Sequence, residues 1–160
     1  MIGSAKSSTS PGVTPPDFAL RPGAEADFPF ARRLYLSSMQ PLLMALDAWN
    51  ANEIETDFRG YYIPDEVRVV MQNGVDVGWI QVSVTDQELC LDQLHLVEKV
   101  RGQGIGTALI RATIEDAAAK SKNVSLSLVK GNRAYWLYQR LGFRQIAEDN
   151  IKIHKRFETG

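Results

Sequence analysis

The residues best suited to chemistry form one stretch, Arg101-Gly102-Gln103-Gly104-Ile105-Gly106, which runs directly into a helical sequence from Thr107 to Ala119. Glycines let backbone N–H groups approach an oxyanion closely. The first helical turn adds unpaired N–H donors and a favourable dipole. The stretch is therefore an anion-binding loop. It is not a Walker loop, because no lysine follows Gly106. Nor is it the Rossmann Gly-x-Gly-x-x-Gly, because the spacing is Gly102-x-Gly104-x-Gly106. Three titratable groups, Glu88, Asp92 and His95, lie on or beside the strand that feeds the loop, and each is a candidate general base. Each also has a purely structural use, as a turn residue, a bulge residue and a hydrogen-bonded strand histidine respectively.

The elements that must position these groups can be read from periodicity. Leu89 and Leu91 alternate with Cys90 and Asp92, but Leu94 and Leu96 continue one residue out of phase. A strand changes face only by inserting a residue, so a β-bulge is expected near Asp92–Gln93. Upstream, Phe18–Pro22 reads as a strand closed by Pro22-Gly23. Asp27 is an N-cap with Pro29 in the first turn. Pro41 is expected to start a second helix that reaches about Phe58 and stops at Gly60. Glu66–Met71 and Val77–Val84 form a hairpin around Asn73–Asp76. Val124, Leu126 and Leu128 alternate in a later strand. Asn132 caps a short helix that ends before Gly142, and a last hairpin turns at Asp149–Asn150. The order implies an α+β domain with a largely antiparallel sheet.

Composition sets the bounds. The chain has 160 residues, 44% hydrophobic and 23% charged, which suits one globular domain with a sizeable core. Residues 1–16 are rich in Ser, Thr, Gly and Pro and are expected to be a flexible tail, leaving 17–160 as the domain. The net charge of −1 implies no nucleic-acid or anionic-membrane partner. Cys90 is the sole cysteine and is read as a small core residue, which fits a reducing, cytoplasmic setting.

Two blocks of the sequence resemble one family. Arg101-x-x-Gly104-x-Gly106 is similar to the pyrophosphate loop of the GNAT N-acetyltransferase superfamily. VSLSLVKGNRAYWLYQRLGF, from Val124 to Phe143, resembles that family's later strand and helix, closed by Leu-Gly-Phe. The resemblance implies a mixed sheet, mostly antiparallel, with helices on its flanks and one parallel strand pair splayed apart where acetyl-CoA enters. It implies that acetyl-CoA is the co-substrate, with no metal. It gives Leu94, His95 and Leu96 to pantetheine, and Arg101 through Thr107 (Gly102, Gln103, Gly104, Ile105 and Gly106 included) to the pyrophosphate. Asn132 falls at a cofactor contact and Tyr138 near the cofactor sulfur. Glu88 matches a position where some members carry a catalytic glutamate. A backbone N–H near Leu96 would stabilise the developing oxyanion, and Tyr138 would meet the leaving thiolate.

The function implied is acetyl transfer, without a covalent enzyme intermediate, to a primary amine of a small molecule or peptide. The rival is a CoA-binding module without turnover. Homodimers are common among such proteins. Asp47, Trp49, Glu53, Glu55, Asp57, Tyr61 and Tyr62 form an acidic and aromatic cluster in the first helical region, the part expected to face the acceptor. Such a lining favours a cationic amine.

Overall fold

The computed structural model describes residues 16–160, so the expected N-terminal tail lies, except for Pro16, outside the described residues. Seven strands make one sheet: β1 (Ala19–Pro22), β2 (Val67–Gln72), β3 (Val75–Val84), β4 (Glu88–Leu96), β5 (Asn123–Val129), β6 (Arg144–Glu148) and β7 (Lys152–Phe157). Their spatial order is β1-β2-β3-β4-β5-β7-β6, and every neighbouring pair is antiparallel except β4 with β5. The helices are α1 (Phe28–Ala45), α2 (Ala51–Tyr61), α3 (Ile105–Ala119) and α4 (Ala134–Arg140). This is the mixed, mostly antiparallel α+β architecture that the sequence implies.

Period-two side chains divide the core between the two faces of the sheet. Val70, Ile80, Leu89 and Leu91 pack on one face with Leu109 and Ile110 of α3. Val67, Val69 and Trp79 pack on the other with Ala31, Tyr35 and Phe58 of α1 and α2. Phe58 is the hub of the second layer, its ring 4.4 Å from Tyr35 and 5.8 Å from Trp79. Burying an aromatic ring of this size contributes roughly 1.5–3 kcal/mol. That burial anchors α2 to the sheet.

The bulge falls where the leucine parity places it. Gln81 pairs with Gln93 and Val82 with Leu91, so Asp92 is the inserted residue. As a result Leu94 and Leu96 pack against the same core as Leu89 and Leu91. The parallel pairing of β4 with β5 ends one residue before the bulge, at Leu91 and Leu126. Beyond that point β5 continues beside β7, through Ser127, Leu128 and Val129, and β4 continues beside β3. The two strands diverge and open a cleft.

Pro41 does not begin a helix. It lies inside α1, which runs on to Ala45. A helix tolerates an internal proline at the cost of one i−4 hydrogen bond where the carbonyl that loses its donor is otherwise accommodated. The chain breaks instead at Leu46–Asn50, where Asp47 takes φ 55°. Asn50 then caps α2, its side chain accepting the Glu53 N–H at 3.1 Å. Helix α2 passes through Gly60 and ends at Tyr61. The Asn50-x-x-Glu53 spacing is the capping pattern that marks this start. Asn50→Ala should therefore destabilise the fold by about 1 kcal/mol in urea titration, and Asn50→Ser should restore most of it. An unchanged midpoint in Asn50→Ala would show that α2 is set by packing alone.

Candidate active site

The glycine loop closes one end of the cleft. Gly104 sits at the N-cap of α3 with φ 86°. A Cβ there would meet no atom within 4 Å, so the backbone conformation, and not space, calls for glycine. Ala108 is bonded back to the Gly104 carbonyl at 3.0 Å. The N–H groups of Ile105, Gly106 and Thr107 precede it in the first turn and have no intrahelical acceptor. The side chains of the loop are used to hold it: Arg101 Nε donates to the Leu96 carbonyl at 3.2 Å, and Gln103 Oε1 accepts from Gln72 Nε2 at 2.9 Å. The exposed Gly102 lies between these two anchors.

The register of β4 decides which backbone groups face the cleft. Val97 N–H donates to the Val77 carbonyl at 2.8 Å, which fixes the phase of the β3–β4 ladder. Hydrogen-bonded pairs alternate in an antiparallel ladder. His95 therefore bonds toward Trp79, and the N–H groups of Leu94 and Leu96 turn away from β3 toward the side where β5 has departed. Arg101 takes the Leu96 carbonyl on that same side.

Helix α4 and β7 form the far wall. Asn132 Oδ1 accepts the Ala134 N–H at 2.9 Å, which closes the turn leading into α4; the N-cap itself is Arg133, one residue later than expected, and Asn132 also lines the cleft. Tyr138 is buried, its ring edge-on to Phe143 at 5.4 Å. Its hydroxyl has no hydrogen-bond partner among the described residues, and burial pushes its pKa up to about 12. Lys155, which the sequence reading did not single out, is 1% exposed. Its ammonium lies 3.9 Å from the Tyr135 ring centroid, and burial lowers its pKa. It stands opposite Leu126, level with the divergence of the strands, so this wall carries a positive charge near the apex of the cleft.

The three candidate bases are separated. Glu88 opens β4, where β4 and β5 are still paired, and its carboxylate is bound to Arg156 Nε at 2.8 Å. The structure does not bring it to Leu94–Leu96. His95 is buried with both ring nitrogens occupied, Nδ1 at 3.2 Å from Ser38 Oγ and Nε2 at 2.8 Å from Gln93 Oε1. Burial, helped by the charge of Arg101, lowers its pKa to about 4. It is neutral at pH 7, a weak base with no free nitrogen. Asp92 is the bulged residue itself. It accepts from Ser83 Oγ at 2.6 Å, and its pKa is raised chiefly by desolvation, against which the Ser83 hydrogen bond works. Cys90 is half-buried, its Sγ 3.4 Å from Ser125 Oγ.

The opposite end of the cleft is acidic. Glu53, Asp57 and Tyr61 of α2 line it, together with Glu66, Gln81 and Asp92. Only part of the acidic and aromatic cluster expected from the sequence lies here. Tyr62 is core, its hydroxyl donating to the Ala24 carbonyl at 2.7 Å, and Glu55 is paired with Arg32. Asp47 and Trp49 are not part of the lining. Gln81 was missed, although it is the one polar residue in the apolar centre of β3, Trp79-Ile80-Gln81-Val82. The cleft is continuous from the glycine loop to this acidic end and holds about 2310 Å³. That exceeds the roughly 300–1,000 Å³ of a single small-ligand pocket and suits two substrates meeting end to end. Coenzyme A fits the basic end on three counts: free helix N–H groups for a pyrophosphate, strand N–H groups facing an open slot, and an unpartnered tyrosine hydroxyl. Among the described residues, no cluster of three His, Cys, Asp or Glu side chains is placed to hold a metal, and no helix is long and apolar enough to cross a membrane.

Solved structures share this fold. The PaiA N-acetyltransferase from Thermoplasma acidophilum, in complex with coenzyme A, superimposes with a TM-score of 0.71 at 14% identity, covering 89% of this chain and 99% of that one. The ribosomal-protein-S18-alanine N-acetyltransferase from Escherichia coli gives 0.66 at 18% identity, covering 88% and 92%. Arabidopsis thaliana Naa50, in complex with a bisubstrate analogue of CoA and a peptide, gives 0.61 at 14%, covering 87% and 97%. At such identities the likeness concerns the fold. No curated protein matches the chain. The family model for the acetyltransferase (GNAT) domain matches residues 64–145, just over half of the chain. That segment holds the bulge, the glycine loop and Tyr138, and the match shows that the chain belongs to the GNAT acetyltransferases.

Proposed function

We propose that this protein transfers the acetyl group of acetyl-CoA directly to a primary amine. The observation that carries the reading is the bulge at Asp92, which frees the β4 N–H groups and opens the slot between the glycine loop and the acidic end. Acetyl-CoA supplies an activated thioester, and the chain's own residues do the rest. The N–H groups of Ile105, Gly106 and Thr107, with Arg101 beside them, hold the pyrophosphate, and Asn132 contacts the cofactor from the opposite wall. The backbone of Leu94, His95 and Leu96 aligns pantetheine. One free strand N–H near Leu96 meets the negative charge that develops on the carbonyl oxygen. The Tyr138 hydroxyl donates to the departing sulfur.

The amine must lose a proton. A lysine-type amine of pKa ~10.4 is neutral about once in 2,500 molecules at pH 7, so a base helps. Asp92 fits that role best of the three candidates: it stands at the bulge, is not tied up in an ion pair, and has a raised pKa. It takes the proton directly or through a water. Glu88, bound to Arg156, holds β4 to β7 across β5. Coenzyme A in the PaiA structure and the CoA–peptide analogue on Naa50 support the reading at the level of the shared fold.

The test is free-thiol release from acetyl-CoA against a panel of primary amines, with CoA affinity measured by calorimetry. Turnover is expected with at least one amine, and Asp92→Asn should lower kcat/KM about tenfold or more and flatten the acid limb of its pH profile. CoA binding without turnover on any amine would instead identify a CoA-binding module.

A further inference from the structure

The acidic end of the cleft distinguishes among amines. Four carboxylates line it, Glu53 and Asp57 on α2, Glu66 before β2 and Asp92 at the bulge, and no lysine or arginine of the lining lies among them. The cationic lining residues Arg101, Arg133, Lys152, Lys155 and Arg156 belong to the loop, α4 and β7. The arginines nearest in sequence are engaged elsewhere: Arg59 with Glu25, and Arg68 with the backbone carbonyls of Asp65 and Val67.

A second observation comes from an independent residue. Gln81 is 2% exposed and lines the cleft. Its Nε2 donates to the Tyr61 carbonyl at 2.9 Å and to Glu66 Oε1 at 3.0 Å. These two bonds fix the orientation of the amide. They leave Oε1, an acceptor, with no partner among the described residues. An acceptor left unpaired in a buried position costs about 1–3 kcal/mol, so it marks where a donor belongs. Gln81 pairs across the ladder with Gln93, next to the bulge, so this acceptor sits beside the expected point of transfer.

The carboxylates form two groups. Glu66 is bonded to Gln81, and Gln81 pairs across the ladder with Gln93 next to Asp92, so Glu66 and Asp92 form one group. Glu53 and Asp57 are four residues apart, one helical turn, and so project from the same side of α2. One group lies at the bulge with Gln81, and the other lies along the wall leading outward. We propose that the acceptor is a small aliphatic polyamine. Its reacting nitrogen is received by Gln81 Oε1, Asp92 and Glu66, and a second ammonium is held by Glu53 and Asp57. A chain of methylenes between ammonium groups carries donors and charge but no acceptors, which is the complement of this lining. A peptide presents backbone carbonyls as well, and at this end the Tyr61 hydroxyl is the one donor to set against four carboxylates and the Gln81 oxygen.

The inference rests on the N-acetyltransferase reading, and the experiment separates the two. Acetyl-CoA turnover is measured with spermidine, with butylamine as a monoamine of similar reach, and with short peptides bearing a basic second residue. CoA affinity is measured alongside. Spermidine should exceed butylamine in kcat/KM by roughly tenfold or more, and that advantage should shrink as salt rises. Glu53→Gln combined with Asp57→Asn should bring the spermidine-to-butylamine ratio close to one. Comparable kcat/KM for butylamine and spermidine, or a ratio unmoved by the double substitution, would overturn the polyamine assignment and leave acetyl transfer standing. A preference for the peptides would overturn it in favour of a protein N-terminus. Absence of turnover on every amine, with CoA still bound, would remove the enzymatic reading beneath it.

Discussion

Gly106→Val should abolish high-affinity CoA binding in a protein that remains folded. A Cβ at position 106 would have Leu96 Cδ1 as its nearest neighbour, at 4.0 Å, which is ordinary contact distance. The helix start is thus not crowded. Nothing in the unliganded protein resists the larger side chain. Exchanging glycine near a helix start for a residue with a Cβ also removes backbone entropy from the unfolded chain. Stability should therefore hold or rise. The space that the valine methyls would fill lies between the first turn of α3 and Leu96, where the N–H groups of Ile105, Gly106 and Thr107 stand open. Hydrogen bonds to a charged group contribute about 1.5–3 kcal/mol each, so losing two of them weakens CoA binding by roughly 100-fold or more. Gly106→Ala should show a smaller loss in the same direction. Calorimetry on both variants, with melting curves as the control, decides the matter. Undiminished affinity in a folded Gly106→Val would mean that the pyrophosphate does not lie on this loop.

Gly104→Val is a different experiment. At φ 86° a β-branched residue strains the backbone whatever the ligand does. A loss of binding there would mix a distorted loop with a blocked site. Position 106, and not position 104, is therefore where a substitution reads ligand binding alone.

These two glycines illustrate what a sequence displays and what it conceals. Spacing reveals that a loop is built for an anion. It does not reveal which glycine is there for its torsion and which for the room it leaves. The bulge at Asp92 was legible because a period-two pattern has no freedom: four leucines out of phase by one residue admit a single explanation. Pro41 misled because proline's local preference competes with the packing of a long helix, and Tyr35 and Leu43, buried on either side of it, hold α1 together. The acidic cluster was legible as a composition but not as a surface. Only the turn at Asp47 and the cap at Asn50 decide that Glu53 and Asp57 face the cleft while Glu55 turns to Arg32. Gln81 stands on β3 as a single polar residue among apolar ones, whereas Lys155 stands on β7 between His154 and Arg156 and looks like one more surface charge. Their roles depend on partners 15 residues or more away in sequence, Glu66 for the first and Leu126 for the second, which no local pattern records.

Tyr138→Phe should slow catalysis by about 10–100-fold while leaving CoA affinity nearly unchanged. The ring is fixed by burial and by its edge-on contact with Phe143, and phenylalanine keeps both. Only the hydroxyl is lost, and it has no hydrogen-bond partner among the described residues, so no structural bond is broken with it. Its role turns on proton energetics. With the phenol pKa pushed up to about 12 and a thiol near ~8.5, moving the proton fully to the sulfur is uphill by roughly 5 kcal/mol. Tyr138 therefore does not act by giving up its proton. It donates a hydrogen bond that strengthens as negative charge gathers on the departing sulfur. Such a bond to a charged acceptor contributes about 1.5–3 kcal/mol, which is the 10–100-fold expected. The buried ammonium of Lys155, on the same wall, favours the same charge. The thiolate can thus leave as an anion and take its proton from solvent after release. An interaction made mainly in the transition state lowers kcat and kcat/KM together. The phenylalanine variant should also keep the wild-type shape of the pH profile up to about pH 10, since a phenol of raised pKa stays protonated across that range. Steady-state kinetics with separately measured CoA affinity supply the check. Wild-type kcat in Tyr138→Phe, or a defect confined to CoA binding, would reduce Tyr138 to a wall residue and leave the sulfur's charge to Lys155 and solvent.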